Sequence, residues 1–354
     1  MIDKNGLVVV TGAAGFVATH IVEQLLAKGY RVRGTVRNPA GESAAHLRQL
    51  RGASERLQLV PAELLDANAW PKVLEGASVV MHTASPYSLD VKDPQRDLVD
   101  PALQGTRNVL NAAASTRSVK RVVLTSSMAS ITDEPESEKV LTEDDWNELS
   151  SLTRNPYYYS KTVAEREAWK LAEQHKDRYS LVAINPFLVI GPSHSQALNT
   201  SNQLFSDLLN GTYPGIMRLV WGFVDVRDVA RAHVEAMERD HASGRYICAA
   251  GTMPMREVVA LLREAGYEGY SLPKLGLDCA VGDYAVRLSS YFQPKGVGTY
   301  LRTHVGRTPQ FDNGKIQREL GLTFRPLADT IRDTVLDVIR HGHVKQAPTV
   351  QAVT

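Results

Sequence analysis

The chain has 354 residues, of which 43% are hydrophobic and 22% charged, with a formal net charge of +1. That balance excludes the basic field needed for nucleic acid or an anionic membrane and suits a protein acting on small molecules. The length exceeds one compact core and implies a large α/β unit with a smaller lobe, and no apolar run approaches the ~18 residues of a membrane span.

The only cysteines are Cys248 and Cys279, in no metal-ligand spacing. Both are expected to be buried thiols, and no metal site is expected. The first residues lack the apolar core of a signal peptide, so a cytoplasmic location is expected.

Leu7-Val8-Val9-Val10 predicts a first strand that runs into Thr11-Gly12-Ala13-Ala14-Gly15-Phe16-Val17-Ala18. Phe16, Val17, Ile21, Val22, Leu25 and Leu26 then recur at helical spacing as far as Gly29. A strand, a glycine turn and a helix in this order let a dinucleotide pyrophosphate approach backbone N–H groups at a helix N-terminus. Thr11, Gly12, Ala14, Gly15, Phe16 and Val17 are therefore candidate cofactor-binding residues. Ala18 stands where a third glycine is usual, and its methyl group still permits close helix–strand packing.

Tyr30, Val32, Gly34 and Val36 alternate as a second strand ending at Arg37-Asn38-Pro39. No acid lies between Tyr30 and Gly41 to accept from a ribose 2′-hydroxyl, whereas Arg37 matches a 2′-phosphate. The expected cofactor is NADPH/NADP, with NAD not excluded; an ordinary solvated arginine is the alternative reading. Residues 57–60 predict a third strand, followed by Glu63-Leu64. Residues 77–82 predict a fourth, ending in Thr83-Ala84-Ser85-Pro86, small residues that let a cofactor's backbone lie close. His82 reads as structural.

A helix over 98–114 precedes the buried strand 121–124, which carries Thr125-Ser126-Ser127 at its C-terminal end. Ligands bind at that edge of an open parallel sheet, so a serine there either hydrogen-bonds a substrate carbonyl or caps the next turn. The acid-rich stretch 133–148 reads as a solvated surface loop. After Pro156 come Tyr157-Tyr158-Tyr159-Ser160-Lys161. Tyr157 and Lys161, four apart on a helix, share a face, while Tyr158 and Tyr159 are expected to point elsewhere. A fixed cation favours the phenolate, which makes proton donation to a carbonyl oxygen efficient near neutral pH.

Residues 181–184 predict a sixth strand leading into Asn185-Pro186-Phe187-Leu188-Val189-Ile190-Gly191-Pro192. The stretch 193–222 is aromatic and irregular, and the C-terminal third alternates amphipathic helices with loops. The expected fold is a doubly wound parallel α/β sheet with a smaller C-terminal substrate lobe. Residues 1–190, with 223–250 returning to them, would bind the dinucleotide, 191–222 and 251–343 would form the lobe, and 344–354 a disordered tail.

Together the glycine turn, His82-Thr83-Ala84-Ser85-Pro86, Leu124-Thr125-Ser126-Ser127, Tyr157-x-x-x-Lys161, Asn185-Pro186 with Gly191-Pro192, and Phe311-Asp312-Asn313 are similar to the motifs of the extended short-chain dehydrogenase/reductases. The likeness is to the branch of dihydroflavonol 4-reductase, cinnamoyl-CoA reductase and the yeast-type methylglyoxal/aldehyde reductases. It implies that Ser127 orients the carbonyl, Tyr157 donates the proton, and Lys161 holds the nicotinamide ribose while acidifying Tyr157. It further implies cofactor contacts from Glu63, Leu64, Thr83, Ala84, Ser85, Pro186, Leu188 and Val189, and substrate contacts from Tyr87, Ser127, Phe187 and Trp221. The sequence departs from the branch in having no lysine over 41–46, Glu63 in place of an aspartate, and Gln104 in place of an asparagine before Gly105-Thr106.

The expected activity is NADPH-dependent reduction of an aldehyde or ketone, the substrate being a small apolar or aromatic carbonyl compound, in a monomer or homodimer without nucleic-acid or membrane partners. A hydroxysteroid dehydrogenase, a nucleotide-sugar epimerase or dehydratase, and a non-catalytic cofactor sensor are the rival readings.

Overall fold

Seven short strands rich in valine, leucine and isoleucine form one parallel sheet, the pattern expected of strands covered on both faces. They are β1 (Leu7–Val10), β2 (Arg31–Val36), β3 (Leu57–Pro61), β4 (Ala77–His82), β5 (Arg121–Thr125), β7 (Ser180–Pro186) and β11 (Gly244–Cys248), with a short β6 (Val140–Leu141) lying outside the sheet. The spatial order is β11-β7-β5-β4-β1-β2-β3. The computed structural model describes residues 6–85 and 91–345.

The helices Phe16–Ala27 and Val226–Glu238 cover one face, packing Ile21, Leu25, Val229 and Met237 with Val8, Val10 and Val123. Trp70–Leu74, Asp100–Ser115 and Pro156–Gln174 cover the other, where Trp70, Leu110 and Ala168 meet Val9, Val80 and Val122. The strand order reverses between β1 and β4, and the crevice outside the carboxyl ends at such a switch point is where α/β sheets bind ligands. The doubly wound sheet is the one expected from sequence.

After β7 a single residue, Phe187, precedes β8 (Leu188–Ile190), which leaves the main sheet and pairs in parallel with β10 (Val220–Asp225). Between them in the chain, β9 (Ile216–Met217) follows the helix Thr200–Leu209, which Asn199 caps by accepting the Asn202 N–H at 2.9 Å. The stretch expected to be irregular therefore holds a helix and two strands. Antiparallel pairing of β10 with β12 (Gly251–Pro254) completes a three-stranded sheet. A separate core of Phe205, Trp221, Phe223, Val258 and Ile331 fills this region.

Other expectations are corrected. The 133–148 stretch is only in part a solvated loop: 136–140, Asp144 and Glu148 are exposed, but Asp133, Leu141 and Asn147 are at most 5% exposed, and β6 pairs in parallel with β14 (Gln310–Phe311), which follows β13 (Gly276–Leu277) in the chain. Two of its acids find partners inside the fold. Asp133 accepts from Arg154 Nε at 2.6 Å, and Glu143 accepts the Ile247 N–H at 3.1 Å. Cys248 is buried, but Cys279 is exposed and caps the helix Ala280–Ser289 through Sγ, which accepts the Gly282 N–H at 3.4 Å. Lys345, in the stretch expected to be a disordered tail, donates its N–H to Asn210 Oδ1 at 2.9 Å, whereas 346–354, like Pro86 and Tyr87, lie outside the described residues. No helix among the described residues is long and apolar enough to cross a membrane.

Candidate active site

The glycine turn and the end of β4 are built as one unit. Thr11 Oγ1 accepts the N–H groups of Thr83 at 3.1 Å and Ala84 at 2.9 Å, and it lies 3.0 Å from His82 Nδ1. Its single proton therefore goes to His82, which must be a neutral acceptor at Nδ1. Burial, with the Lys161 charge adding to it, lowers the His82 pKa to about 4, in keeping with the structural role read from sequence.

Gly12 has φ +62, and a Cβ there would meet the Ala84 Cβ at 3.1 Å, so glycine is required both for the backbone conformation and for the close approach. Gly15 precedes the helix Phe16–Ala27 without a side-chain cap. The first N–H groups of that helix are left for an anion. Arg37 is exposed just past β2, and Glu63 is exposed shortly after β3, along the same edge. The Leu64 side chain packs where a Cβ on Gly105 would stand, and its carbonyl accepts from Trp70 Nε1 at 3.2 Å and Asn108 Nδ2 at 3.1 Å. Gln104 donates to Asn108 Oδ1 at 2.7 Å and does not line the cavity described below.

Asn155 is the only described non-glycine residue with positive φ, at 46°, a region that asparagine tolerates better than most residues. Its side-chain amide donates to the buried Asp133, and Pro156 follows as the first residue of the helix Pro156–Gln174. The helix start is thereby fixed. Tyr157 and Lys161 share its face, with Lys161 Nζ 5.8 Å from the Tyr157 ring centroid. Burial lowers the Lys161 pKa to about 8, although the Glu165 charge opposes the shift.

The two serines after β5 have different tasks. Ser126 Oγ donates to Glu165, which also accepts from Asn185 Nδ2 at 2.8 Å and pairs with Arg245. Ser127 caps a short 3-10 turn, its Oγ accepting the Ala129 N–H at 3.1 Å. The cap uses only an acceptor site, and the hydroxyl proton remains available to donate.

A cavity of about 250 Å³ lies over this edge. It brings together the expected Val17, Ser127, Tyr157, Lys161, Pro186, Phe187, Leu188, Val189 and Trp221. Thr11, Gly12, Ala14, Gly15, Phe16, Arg37, Glu63, Leu64, Thr83, Ala84 and Ser85 are not among the residues lining it; Thr11, Gly12, Thr83 and Ala84 meet at the glycine turn instead.

Beside the expected Trp221, the cavity wall holds Tyr158, Tyr300 and His304, which sequence reasoning missed. Tyr158 lines the cavity beside Tyr157, ring to ring at 6.1 Å, and so does not point away as expected. His304 lies 6.3 Å from Tyr158 and stacks on Tyr300 at 4.1 Å, while Trp221 hydrogen-bonds Tyr300. Burial lowers the His304 pKa to about 4, so the wall is neutral and aromatic. The only sequence signal was the (i, i+4) pair Tyr300 and His304, one of many helical pairs in the chain.

A parallel Rossmann sheet whose switch-point edge carries a glycine turn, a strand-end serine and a Tyr-x-x-x-Lys helix defines an oxidoreductase of the short-chain type. The sequence profile of the NAD dependent epimerase/dehydratase family matches residues 8–249, and the chain belongs to that family, among its extended short-chain dehydrogenase/reductases. It is 39% identical over 341 residues to cinnamoyl-CoA reductase CAD2 of Medicago truncatula, spanning 94% of this chain and 95% of the relative. Its fold is similar to that of yeast methylglyoxal/isovaleraldehyde reductase Gre2 complexed with NADPH, at 31% identity and TM-score 0.78 over 96% of this chain and 100% of the other. Vestitone reductase from alfalfa (Medicago sativa L.) is also similar, at 26% identity and TM-score 0.73, over 96% and 100%. The branch indicated by the sequence motifs is the one these relatives represent.

Proposed function

We propose that the protein is an NADPH-dependent carbonyl reductase that converts an aldehyde or ketone with apolar or aromatic substituents to the alcohol. The observation that carries this reading is the convergence of Ser127, Tyr157 and Lys161 on one cavity closed by Trp221, Tyr158 and His304. The residues present fit the cofactor: the uncapped helix N-terminus beyond Gly15 suits the pyrophosphate, and Arg37 supplies a donor fork for the 2′-phosphate. The cofactor half would comprise 1–190 with 223–250, and the substrate half 191–222 with 251–343.

When bound, NADPH supplies a hydride to the carbonyl carbon. The Ser127 hydroxyl hydrogen-bonds the carbonyl oxygen, keeping its own proton, and fixes the position of that oxygen. The Tyr157 hydroxyl delivers the proton that completes the alcohol, while the Lys161 cation stabilises the phenolate left behind and holds the ribose hydroxyls. The aromatic wall excludes water and selects apolar substituents.

A nucleotide-sugar substrate fits less well, because the lobe arginines are already engaged. Arg218 pairs with Asp283, Arg307 with Glu134, and Arg302 donates to Ser290 Oγ at 3.0 Å and lies 4.7 Å from the Tyr291 ring centroid. A sensor without turnover would have no use for a retained tyrosine and lysine at the edge. Steady-state assays of aldehydes, α-diketones, aryl ketones and sterols with NADPH, beside UDP-sugar calorimetry, test the reading. Reduction of an aryl or branched aliphatic carbonyl without UDP-sugar binding is the expected result; inactivity across the panel with UDP-sugar binding would overturn it.

A further inference from the structure

His20 and Glu23 lie three apart on the helix Phe16–Ala27 and so share a face, and His194, from the segment after β8, stands against them. One ligand atom from each of the three side chains lies within 4.8 Å of the others. His20 Nδ1 is 3.5 Å from Glu23 Oε2, and His194 Nε2 is 3.1 Å from the same oxygen. Tetrahedral sites with metal–ligand bonds of about 2.0–2.1 Å hold their ligand atoms roughly 3.3 Å apart. None of the three residues lines the cavity.

The state of His20 points to a ligand. Its Nε2 is 2.9 Å from the Pro192 carbonyl oxygen, and because a carbonyl can only accept, Nε2 carries a proton. In the neutral ring Nδ1 then presents a bare lone pair. His20 is 3% exposed, and its Nδ1 is buried with no hydrogen-bond partner. A buried lone pair facing a carboxylate oxygen places two acceptors together, an arrangement that a shared proton or a metal ion between them resolves. Fixing the far N–H of an imidazole on a backbone carbonyl is also how metal-ligating histidines are oriented.

We propose that His20, Glu23 and His194 bind a divalent transition-metal ion, with zinc the match for two imidazoles, one carboxylate and an open fourth position. The spacing gave no such signal in the sequence, since the third ligand comes 171 residues after Glu23. The ion would tie the helix that cradles the cofactor to the exit of β8, whose Leu188 and Val189 line the cavity.

The test uses the full chain, stripped with chelator, dialysed, and titrated with zinc chloride by calorimetry and thermal unfolding. The proposal expects one zinc per chain and a raised unfolding midpoint, with affinity weakened more than tenfold in both Glu23→Gln and His194→Ala. These side chains are partly exposed, so the variants should fold. Cobalt(II) adds a second readout: the intense visible absorption of a four-coordinate site, lost in either variant. No zinc uptake by the unmodified chain, or uptake unchanged by both substitutions, would overturn the proposal and leave a proton bridging Glu23 and the histidines.

Discussion

Arg245 Nε lies 2.7 Å from Glu165 Oε1, with the two side chains 6% and 1% exposed, which ties the edge strand β11 to the helix that carries Tyr157 and Lys161. Arg245→Ala leaves the Glu165 carboxylate buried without its counter-charge and should cost about 3–5 kcal/mol, measured by urea unfolding at pH 7. Burial raises the Glu165 pKa, but the Arg245 charge and hydrogen bond outweigh it and hold the carboxyl below its ordinary 4.5. Its contribution is full above 4.5 and is lost as pH falls through the folded-state value. Stability of the unmodified chain should therefore fall more steeply than that of the variant as pH drops below 4.5.

Tyr157→Phe keeps the ring and removes the hydroxyl that the proposed mechanism uses as acid. Turnover should fall by roughly 10²- to 10⁴-fold while NADPH binding, followed by fluorescence, stays nearly intact. Lys161→Ala should impair both. Near-normal turnover in Tyr157→Phe would remove the assignment of the acid.

The Lys161 pKa of about 8 makes the charge of the site pH-dependent. Below that value the cation is present; above it the group loses its proton, so kcat/KM for reduction should decline on the alkaline side with an apparent value near 8. The linkage runs opposite to that of Glu165. A folded-state pKa below the ordinary 10.5 means that the buried ammonium opposes folding below about 8 and that this penalty is relieved as pH rises toward 10.5. Lys161→Met should thus unfold at a higher temperature than the unmodified chain at pH 7 while losing activity, and calorimetry should find the difference shrinking in alkali.

Arg37 stands exposed at the end of β2, with no acid between Tyr30 and Gly41 to favour a free ribose. A charge-assisted fork on the 2′-phosphate contributes on the order of 1.5–3 kcal/mol, or about 10- to 150-fold in kcat/KM for NADPH over NADH. Arg37→Asp should reverse the preference. Equal use of both cofactors, unchanged by the substitution, would show the residue to be merely solvated.

The legible parts of this chain were those whose signal is local. The apolar run into the Thr11–Gly12 turn, the strand-end Ser126-Ser127, and the Tyr157–Lys161 spacing each place their chemistry through one element and its neighbour in sequence. The wall of the cavity is assembled otherwise. Tyr158, Tyr300 and His304 meet Trp221 only after β10 and the later helices have packed, and the one spacing among them, Tyr300 to His304, is shared by many helical pairs. The stretch 133–148 misled for a related reason: Asp133 and Glu143 look solvated until Arg154 and the Ile247 N–H arrive as partners. Cys279 reads as an apolar thiol by residue type, whereas its position ahead of a helix uses it as a cap.

The passage from β7 to β8 takes place across Phe187 alone, with Pro186 aligned with Cys248 in the main sheet and Leu188 aligned with Phe223 in the small one. Phe187 is itself anchored, its N–H donating to the Cys248 carbonyl at 3.3 Å, and its ring lies 5.6 Å from that of Phe311. With one residue at the crossing, a shift of Leu188 or Val189 at the cavity has only the backbone torsions of Phe187 to absorb it before it reaches Pro186 and the main sheet.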